Sequence, residues 1–186
     1  MARVDVIEYI TIASTGNSTD FGNLTVARDP MALASSVRAV FAGGYSQSAS
    51  ESVNPMDYIT IASTGNAPDF GDLSRATNQG CGLSSATRGV FTGGAISGQT
   101  VEYITIASTG NATDFGDLTV NRRYVTGLSS ATRGVHAGGN GSGDETYSSV
   151  IDYITIASAG NSTDFGDLVT PANAPTGVSN DHGGVQ

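Results

Sequence analysis

The sequence predicts an all-β protein that is built from four repeats of one unit. A nine-residue stretch, Tyr9-Ile-Thr-Ile-Ala-Ser-Thr-Gly-Asn, recurs almost unchanged from Tyr58, Tyr103 and Tyr153. A period of roughly 40–50 residues is typical of stacked or circular arrays of one supersecondary unit. Within each repeat, β-branched and aromatic runs alternate with turn residues, which is the pattern of short strands. Gly and runs of Ser, Thr and Asn interrupt every longer window and disfavour helices.

The third repeat gives the elements most clearly. Its β-branched and aromatic runs predict four short strands, which are Val101–Ala107, Phe115–Val120, Tyr124–Ser130 and Arg133–Ala137. Residues 108–114 contain the Gly and Asn that tolerate positive φ, and predict a turn. The second strand is expected to be the outer one. The pair Gly138-Gly139 closes the fourth strand.

This order of elements resembles the blade of the kelch-type β-propeller. The diglycine of that blade is matched by Gly43-Gly44, Gly93-Gly94 and Gly138-Gly139. Its tyrosine is matched by Tyr9, Tyr58, Tyr103 and Tyr153. Where the family usually carries Trp, this chain, which has no Trp, carries Phe21, Phe70, Phe115 and Phe165. The resemblance extends over the whole chain and implies a propeller fold.

The two ends of the sequence look like the two halves of one repeat. The chain enters a repeat at Val6-Ile-Glu-Tyr9, and residues 177–186 align with residues 127–136. We therefore expect a small propeller of four four-stranded blades, with one blade shared between the N- and C-terminal strands. Such a ring would leave no exposed sheet edge. The repeats lie near residues 6–50, 51–94, 95–139 and 140–186 of a single domain, 1–186. Two chains sharing an eight-bladed ring, an open array completed by a neighbouring chain, and a β-solenoid are the alternatives.

Composition argues against several classes of partner. The formal net charge is −9, and all eight basic residues are Arg. A binder of nucleic acid needs a basic stripe to displace counterions, and adsorption to anionic lipid needs basic clusters as well. Neither a membrane-spanning run nor a signal peptide is expected. The single Cys81 excludes an internal disulfide, and we expect it to be a small buried filler.

An acidic motif, Asn-Xaa-Xaa-Asp-Phe-Gly-Asp, recurs in the repeats. Its carboxylates are Asp20, Asp69, Asp114 and Asp164, then Asp72, Asp117 and Asp167, with Asn23 in the first copy. Oxygen-rich loops of this kind can hold a hard cation. The cation hypothesis would use Asp69, Asp72, Asp114 and Asp117. Asp and Asn in turns more commonly bond to nearby backbone amides, so no metal or cofactor is expected.

Three arginines occupy one position of the repeat, just before a predicted inner strand: Arg38, Arg88 and Arg133. Such a set could hold an anionic ligand by bidentate hydrogen bonds. The fourth equivalent is Gly183, which would break the ring. Pairing with the repeated Asp or Glu of the adjacent blade is the favoured interpretation.

The sequence offers no catalytic constellation. His136 stands where the other repeats have Phe41 and Phe91, so it is expected to be a packing residue. His136, His182 and Cys81 do not form a familiar zinc or copper set. Each Gly pair ends a strand. A phosphate-binding loop would lead into a helix, so the Gly pairs do not predict such a loop. We therefore expect a protein that is not an enzyme.

The loops after the Gly pairs are where the repeats differ: Tyr45–Pro55, Ala95–Thr100 and Asn140–Val150. Variable loops on a constant scaffold are the expected place for recognition. Tyr45 and Tyr147 supply aromatic surface that could stack on a sugar or a partner chain. These two tyrosines, with the repeated arginines, are the candidate binding residues.

Residues 106–118, Ile-Ala-Ser-Thr-Gly-Asn-Ala-Thr-Asp-Phe-Gly-Asp-Leu, resemble repeat arrays in structural and tail-fibre-like proteins of marine bacteriophages. The resemblance implies a non-enzymatic component of the virion surface that decorates the particle or contacts the host. Its partners would be other virion proteins or a host-surface glycan, and a homo-oligomer is possible. The alternative is a free glycan-binding lectin with repeated pockets between blades.

Overall fold

The structure, a computed structural model, describes residues 3–95, 98–141 and 146–179. Over these residues the protein is all-β, as the sequence predicts, with eighteen strands and antiparallel pairing throughout. In chain order the strands are β1 (Val6–Tyr9), β2 (Thr19–Asn23), β3 (Met31–Ala34), β4 (Arg38–Ala42), β5 (Tyr45–Ser46), β6 (Glu51–Ser52), β7 (Pro55–Thr60), β8 (Asp69–Asp72), β9 (Cys81–Ser84), β10 (Arg88–Thr92), β11 (Thr100–Thr105), β12 (Thr113–Asp117), β13 (Arg122–Arg123), β14 (Thr126–Ser129), β15 (Arg133–Ala137), β16 (Asn140–Gly141), β17 (Val150–Thr155) and β18 (Thr163–Asp167). The described residues hold no helix long and apolar enough to cross a membrane.

Three complete sheets share one strand order. Sheet II runs β3-β4-β7-β8, sheet III runs β9-β10-β11-β12, and sheet IV runs β14-β15-β17-β18. Sheet I is the pair β1-β2, which corresponds to the last two strands of the other sheets. The four strands predicted for each repeat are thus present in the first three repeats, the described part of the fourth contributes β17 and β18, and the strand that carries the Asp-Phe-Gly motif lies at the outer edge. Two short strand pairs, the hairpin β5-β6 and the non-consecutive pair β13-β16, lie outside these sheets.

The predicted strand bounds in the third repeat are close to those observed. Arg133–Ala137 is the same, whereas the strand predicted at Phe115–Val120 begins earlier, at Thr113, and ends at Asp117. The shift has a local cause. Val101 pairs with Gly116 and Glu102 pairs with Asp114, so Phe115 is the extra residue of a β-bulge. A bulge of this kind re-aims a side chain and ends regular pairing.

The inner strands of the sheets lie side by side. The Ser84 hydroxyl on β9 donates to the Ala34 carbonyl on β3 (2.7 Å), and the Ser129 hydroxyl on β14 donates to the Ser84 carbonyl (2.8 Å). The Gly177 amide donates to the Thr126 hydroxyl (3.0 Å), which places residues 176–179 beside β14. One open cavity of about 330 Å³ is lined by four equivalent segments, residues 33–35, 82–84, 127–129 and 177–179.

The apolar core consists of three clusters, each between successive sheets. Between sheets I and II it contains Phe21, Leu24, Ile59 and Ala67. Between sheets II and III it contains Met31, Leu33, Val40, Ala42, Met56, Phe70, Leu73, Phe91, Ile104 and Ile106. Between sheets III and IV it contains Leu83, Val90, Val101, Phe115, Leu118, Ile154 and Ile156. Burial of apolar surface therefore joins the sheets face to face.

The predicted shared blade is only partly within the described residues. Residues 177–179 lie beside β14, at the place of a next inner strand. Residues 180–186, which include His182 and Gly183, lie outside the described part of the chain. Among the described strands, β1 pairs with β2 alone.

Candidate functional site

The turn that follows each Tyr strand joins two sheets. In the third repeat the Gly110 amide donates to the Phe70 carbonyl (2.7 Å) and the Ala112 amide donates to the Asp72 carbonyl (2.8 Å). The Asn111 carboxamide oxygen accepts from the Asp72 amide (3.0 Å). Equivalent bonds join Gly65, Asn66 and Ala67 to sheet I, and Gly160, Asn161 and Ser162 to sheet III. We call this three-bond contact the turn latch.

The Gly of the Asp-Phe-Gly motif makes the turn latch possible. Gly71 has φ +138°, and a Cβ added there would lie 2.5 Å from the carbonyl carbon and oxygen of Gly110. The same approach occurs at Gly22 and Gly116. A side chain at these positions would be strained and would push the next sheet away. The repeated Gly is therefore explained by inter-sheet contact.

The repeated aspartates do not gather into a cation site. Asp69 and Asp72 lie on β8, whereas Asp114 and Asp117 lie on β12 in a different sheet. No group of three His, Cys, Asp or Glu side chains that could hold a metal ion occurs among the described residues. The carboxamide of the turn Asn, on the neighbouring sheet, is the side chain that bonds to the amide of the second Asp.

The repeated arginines bind main-chain oxygen and aromatic rings. The Arg38 guanidinium donates to the Ile106 carbonyl (2.7 Å) and lies 4.2 Å from the centre of the Tyr58 ring. Arg88 does the same with the Ile156 carbonyl (2.9 Å) and the Tyr103 ring (4.4 Å). Neither forms an ion pair with any described residue, so the predicted pairing with Asp or Glu is wrong for these two. A cation–π contact with the ring and a hydrogen bond to the carbonyl stabilise each guanidinium in place of an ion pair.

The repeated acidic residues of the Tyr strand are engaged by other arginines. Arg28 and Asp57 form an ion pair of 2.9 Å with both side chains fully buried, and Arg122 pairs with Asp152 in the same way. Each guanidinium also donates to the carbonyl of a Gly pair, at Gly43 (2.8 Å) and Gly138 (3.0 Å). Sequence reasoning missed Arg28 and Arg122. Alignment of the repeats would have found them, because both stand four residues after the Leu of Phe-Gly-Asn/Asp-Leu.

The interface between sheets II and III lacks this ion pair. Thr77 stands at the position of Arg28 and Arg122, and the buried Glu102 accepts from the Ser74 amide (2.9 Å). The hydroxyls of Thr77 and Thr92 have no hydrogen-bond partner among the described residues. Together with Glu102 they line a cavity of about 10 Å³, which is near the size of one water molecule.

His136 and Cys81 are both uncharged near neutral pH. Cys81 is half-buried, so it is less enclosed than the buried filler expected from the sequence. Burial, with a further contribution from the nearby Arg122 charge, lowers the pKa of His136 to about 3, so its imidazole is neutral. Its ring is fully buried, as expected of a packing residue. Burial raises the pKa of the Cys81 thiol to about 12, and Arg122 opposes this to a smaller extent. A protonated thiol of this kind is a poor nucleophile and a poor metal ligand.

The two candidate tyrosines lie in different surroundings. Tyr45 begins the hairpin β5-β6, and the Arg3 guanidinium lies 4.6 Å from its ring centre. Tyr147 forms a single bridge with Asn140, and its side chain is 55% exposed. The structure does not bring these two rings together into one platform. Residues 96–97 and 142–145 of the variable loops lie outside the described part of the chain.

No protein-family model matches this chain, and no match to it is found among the curated proteins.

Proposed function

We propose that this chain is a non-enzymatic structural or adhesive module, with its sheets arranged as the blades of a β-propeller, on the surface of a phage particle. One observation carries the proposal. The residues that recur along the chain hold neighbouring sheets together at the interfaces inside the chain. The turn Asn, the Gly of Asp-Phe-Gly, the Phe of the bulge and the inner-strand Arg all make inter-sheet or aromatic contacts.

The propeller part of the proposal is supported by three features. The complete sheets repeat one strand order, their inner strands are neighbours, and four equivalent segments line one cavity. Radial repetition of this kind is the arrangement that leaves short, protected edges. The Gly pairs are a further point of resemblance to the kelch blade. In the first pair the φ values are +56° at Gly43 and +108° at Gly44.

The non-enzymatic part is supported by the state of the titratable groups. An active site needs an accessible acid, base or nucleophile, commonly with a perturbed pKa. Among the described residues, the two groups with strongly shifted pKa values are His136 and Cys81. Both shifts arise from burial and stabilise the uncharged form, which suits packing and not catalysis.

The virion assignment is supported by the resemblance of the repeat to phage structural arrays. Immunogold labelling of phage particles produced from a genome that encodes this chain tests it. We expect gold at regular positions on intact particles, because a structural module is present in fixed stoichiometry. Label found only in the unassembled fraction of the lysate would contradict the assignment.

A lectin is the second candidate, and the exposed ring of Tyr147 favours it. Aromatic rings that present a flat apolar face with one polar end suit stacking on sugars. A glycan array compares the wild-type chain with Tyr147→Ala. Sugar-specific binding at several equivalent sites, or binding lost in Tyr147→Ala, would favour the lectin over the structural module.

A further inference from the structure

Every interface between successive sheets has two different sides. Sheet III contributes one apolar residue from each of several strands, namely Leu83, Val90, Val101, Phe115 and Leu118. We call the residues at these positions the receiving face. Sheet IV covers it with Ile154 and Ile156 and with the latching turn that contains Asn161. We call these the covering edge. The five receiving residues of sheet III are at most 4% exposed as a result.

No second sheet covers the receiving face of sheet IV among the described residues. Only residues 177–179 approach it, where a Cβ added to Gly177 would lie 2.7 Å from the Leu128 side chain. Phe165 is 54% exposed, whereas the equivalent Phe115 is 2% exposed. The other four members are only half-buried, whereas their equivalents in sheet III are buried: Leu128, Val135, Ile151 and Leu168. A Cβ added to Gly166 would meet nothing within 4 Å, although one on the equivalent Gly116 would lie 2.6 Å from the carbonyl group of Gly160.

The covering edge of sheet I is exposed in the same way. Ile10 is 64% exposed and Ile12 is 95% exposed, whereas Ile154 and Ile156 are 2% and 1% exposed. Asn17, at the latching position, is exposed as well. The described chain therefore carries one unused receiving face and one unused covering edge. The contact that would join them already occurs three times inside the chain.

We propose that these two surfaces bind each other between two copies of this chain, head to tail. The three internal interfaces specify the contact. The Asn17 carboxamide of one copy accepts from the Asp167 amide of the other, and the Gly16 amide donates to the Phe165 carbonyl. Arg133, which is exposed and stacks on Tyr153 at 4.4 Å, donates to the Ile12 carbonyl as Arg38 and Arg88 do to Ile106 and Ile156.

A second copy is the occupant that the observations favour. No second sheet lies on either the receiving face of sheet IV or the covering edge of sheet I within the described chain, so the chain does not use one to cover the other. An exposed apolar patch of this kind is a typical protein-binding surface. The sides differ, so the contact is heterologous, and two such contacts related by a two-fold axis close a ring. This inference does not depend on the virion assignment.

Light scattering coupled to gel filtration over a range of protein concentrations tests the proposal. We expect the wild-type chain to show at least twice the mass of one chain at high concentration. Ile12→Asp and Phe165→Asp each place a charge on a surface that is exposed in the single chain. Both are expected to weaken association at least tenfold while the circular dichroism spectrum stays unchanged. Val37→Asp, at an apolar residue that is 65% exposed and belongs to neither surface, is the matched control and should associate as wild type does.

A mixture of the two charged variants separates head-to-tail association from other modes. Ile12→Asp keeps its receiving face and Phe165→Asp keeps its covering edge, so the mixed sample can form one intact contact. We expect complexes in the mixture that neither variant forms alone. A wild-type chain that has the mass of one copy at every concentration would overturn the proposal. So would an Ile12→Asp variant that loses stability without a change in mass, since that result indicates closure within one chain.

Discussion

At the scale of single residues, the turn Asn makes a side-chain contact that recurs at all three interfaces inside the chain. Asn66, Asn111 and Asn161 each accept from an amide of the preceding sheet at 3.0–3.1 Å. The amide lies at a strand end and is partly accessible, so water can replace a lost carboxamide. A net value of about 1 kcal/mol is typical of such a bond.

We therefore expect Asn111→Ala to lower the free energy of unfolding by about 1 kcal/mol, measured by urea denaturation. Asn17→Ala is the matched control, because it has the same residue at the same repeat position without a partner in the described chain. At a dilution where copies are separate it should change stability by less than about 0.5 kcal/mol. Equal losses in both variants would contradict the role of the latch.

His136 should make stability depend on pH. Its pKa is about 3 in the folded chain and near 6.5 when unfolded, so the unfolded state binds the proton first. The contribution of neutral His136 is present above about pH 6.5 and is lost as the pH falls toward 3. When the pH is lowered from 7 to 4.5, the wild type should lose about 2.5 kcal/mol through this group, and His136→Phe should not show that loss. Parallel pH profiles of the two chains in urea titrations would refute this.

Alignment of the repeats predicts some residue roles and misses others. His136 could be predicted as a packing residue because Phe41 and Phe91 share its position. The partners of Arg38 and Arg88 could not be predicted from the alignment. Each arginine is near a carboxylate in the sequence, but once the sheets stack it also lies near main-chain carbonyls and aromatic rings. The buried pairs of Arg28 and Arg122 were missed because Thr77 and Ala172 interrupt the pattern.

At the scale of elements, the outer strand is shaped by its bulge. The Phe is the unpaired residue in all four copies, and the Gly that follows has a φ between +138° and +150°. This conformation turns Phe115 into the cluster between sheets and lets the next turn approach. The bulge also forms at Phe165, where no next sheet is present, so it belongs to the Asp-Phe-Gly-Asp segment and its own strand pair. Alternation of residues predicts the strand but does not locate the bulge, which is why the predicted bounds are displaced.

The close approach at this Gly can be separated from its backbone strain. Gly116→Ala adds a methyl group 2.6 Å from the carbonyl group of Gly160, whereas Gly166→Ala has the same kind of φ and no neighbour within 4 Å. We expect losses of about 3 kcal/mol and about 1 kcal/mol, because overpacking adds to strain only in the first variant. Thermal or urea unfolding of dilute protein measures both, and a smaller loss for Gly116→Ala would contradict the packing argument.

At the scale of the whole molecule, the period of the sequence predicts four strands per repeat and their order. It does not predict which surface of each sheet is covered, because covering depends on the angle between sheets. The three apolar clusters, from Phe21 in the first to Ile156 in the last, show which surfaces are covered at the three interfaces inside the chain. The fourth is the contact proposed between copies, and it determines whether the array is completed by one chain or by two.

Amide hydrogen exchange at the latching glycines tests this account most directly, because exchange reports local opening residue by residue. Gly65, Gly110 and Gly160 donate inside one chain and should be protected at every protein concentration. Gly16, their equivalent at the exposed covering edge, should exchange fast in dilute protein and become protected as copies associate. Protection of Gly16 at concentrations where light scattering shows single chains, or fast exchange at the other three glycines, would contradict it.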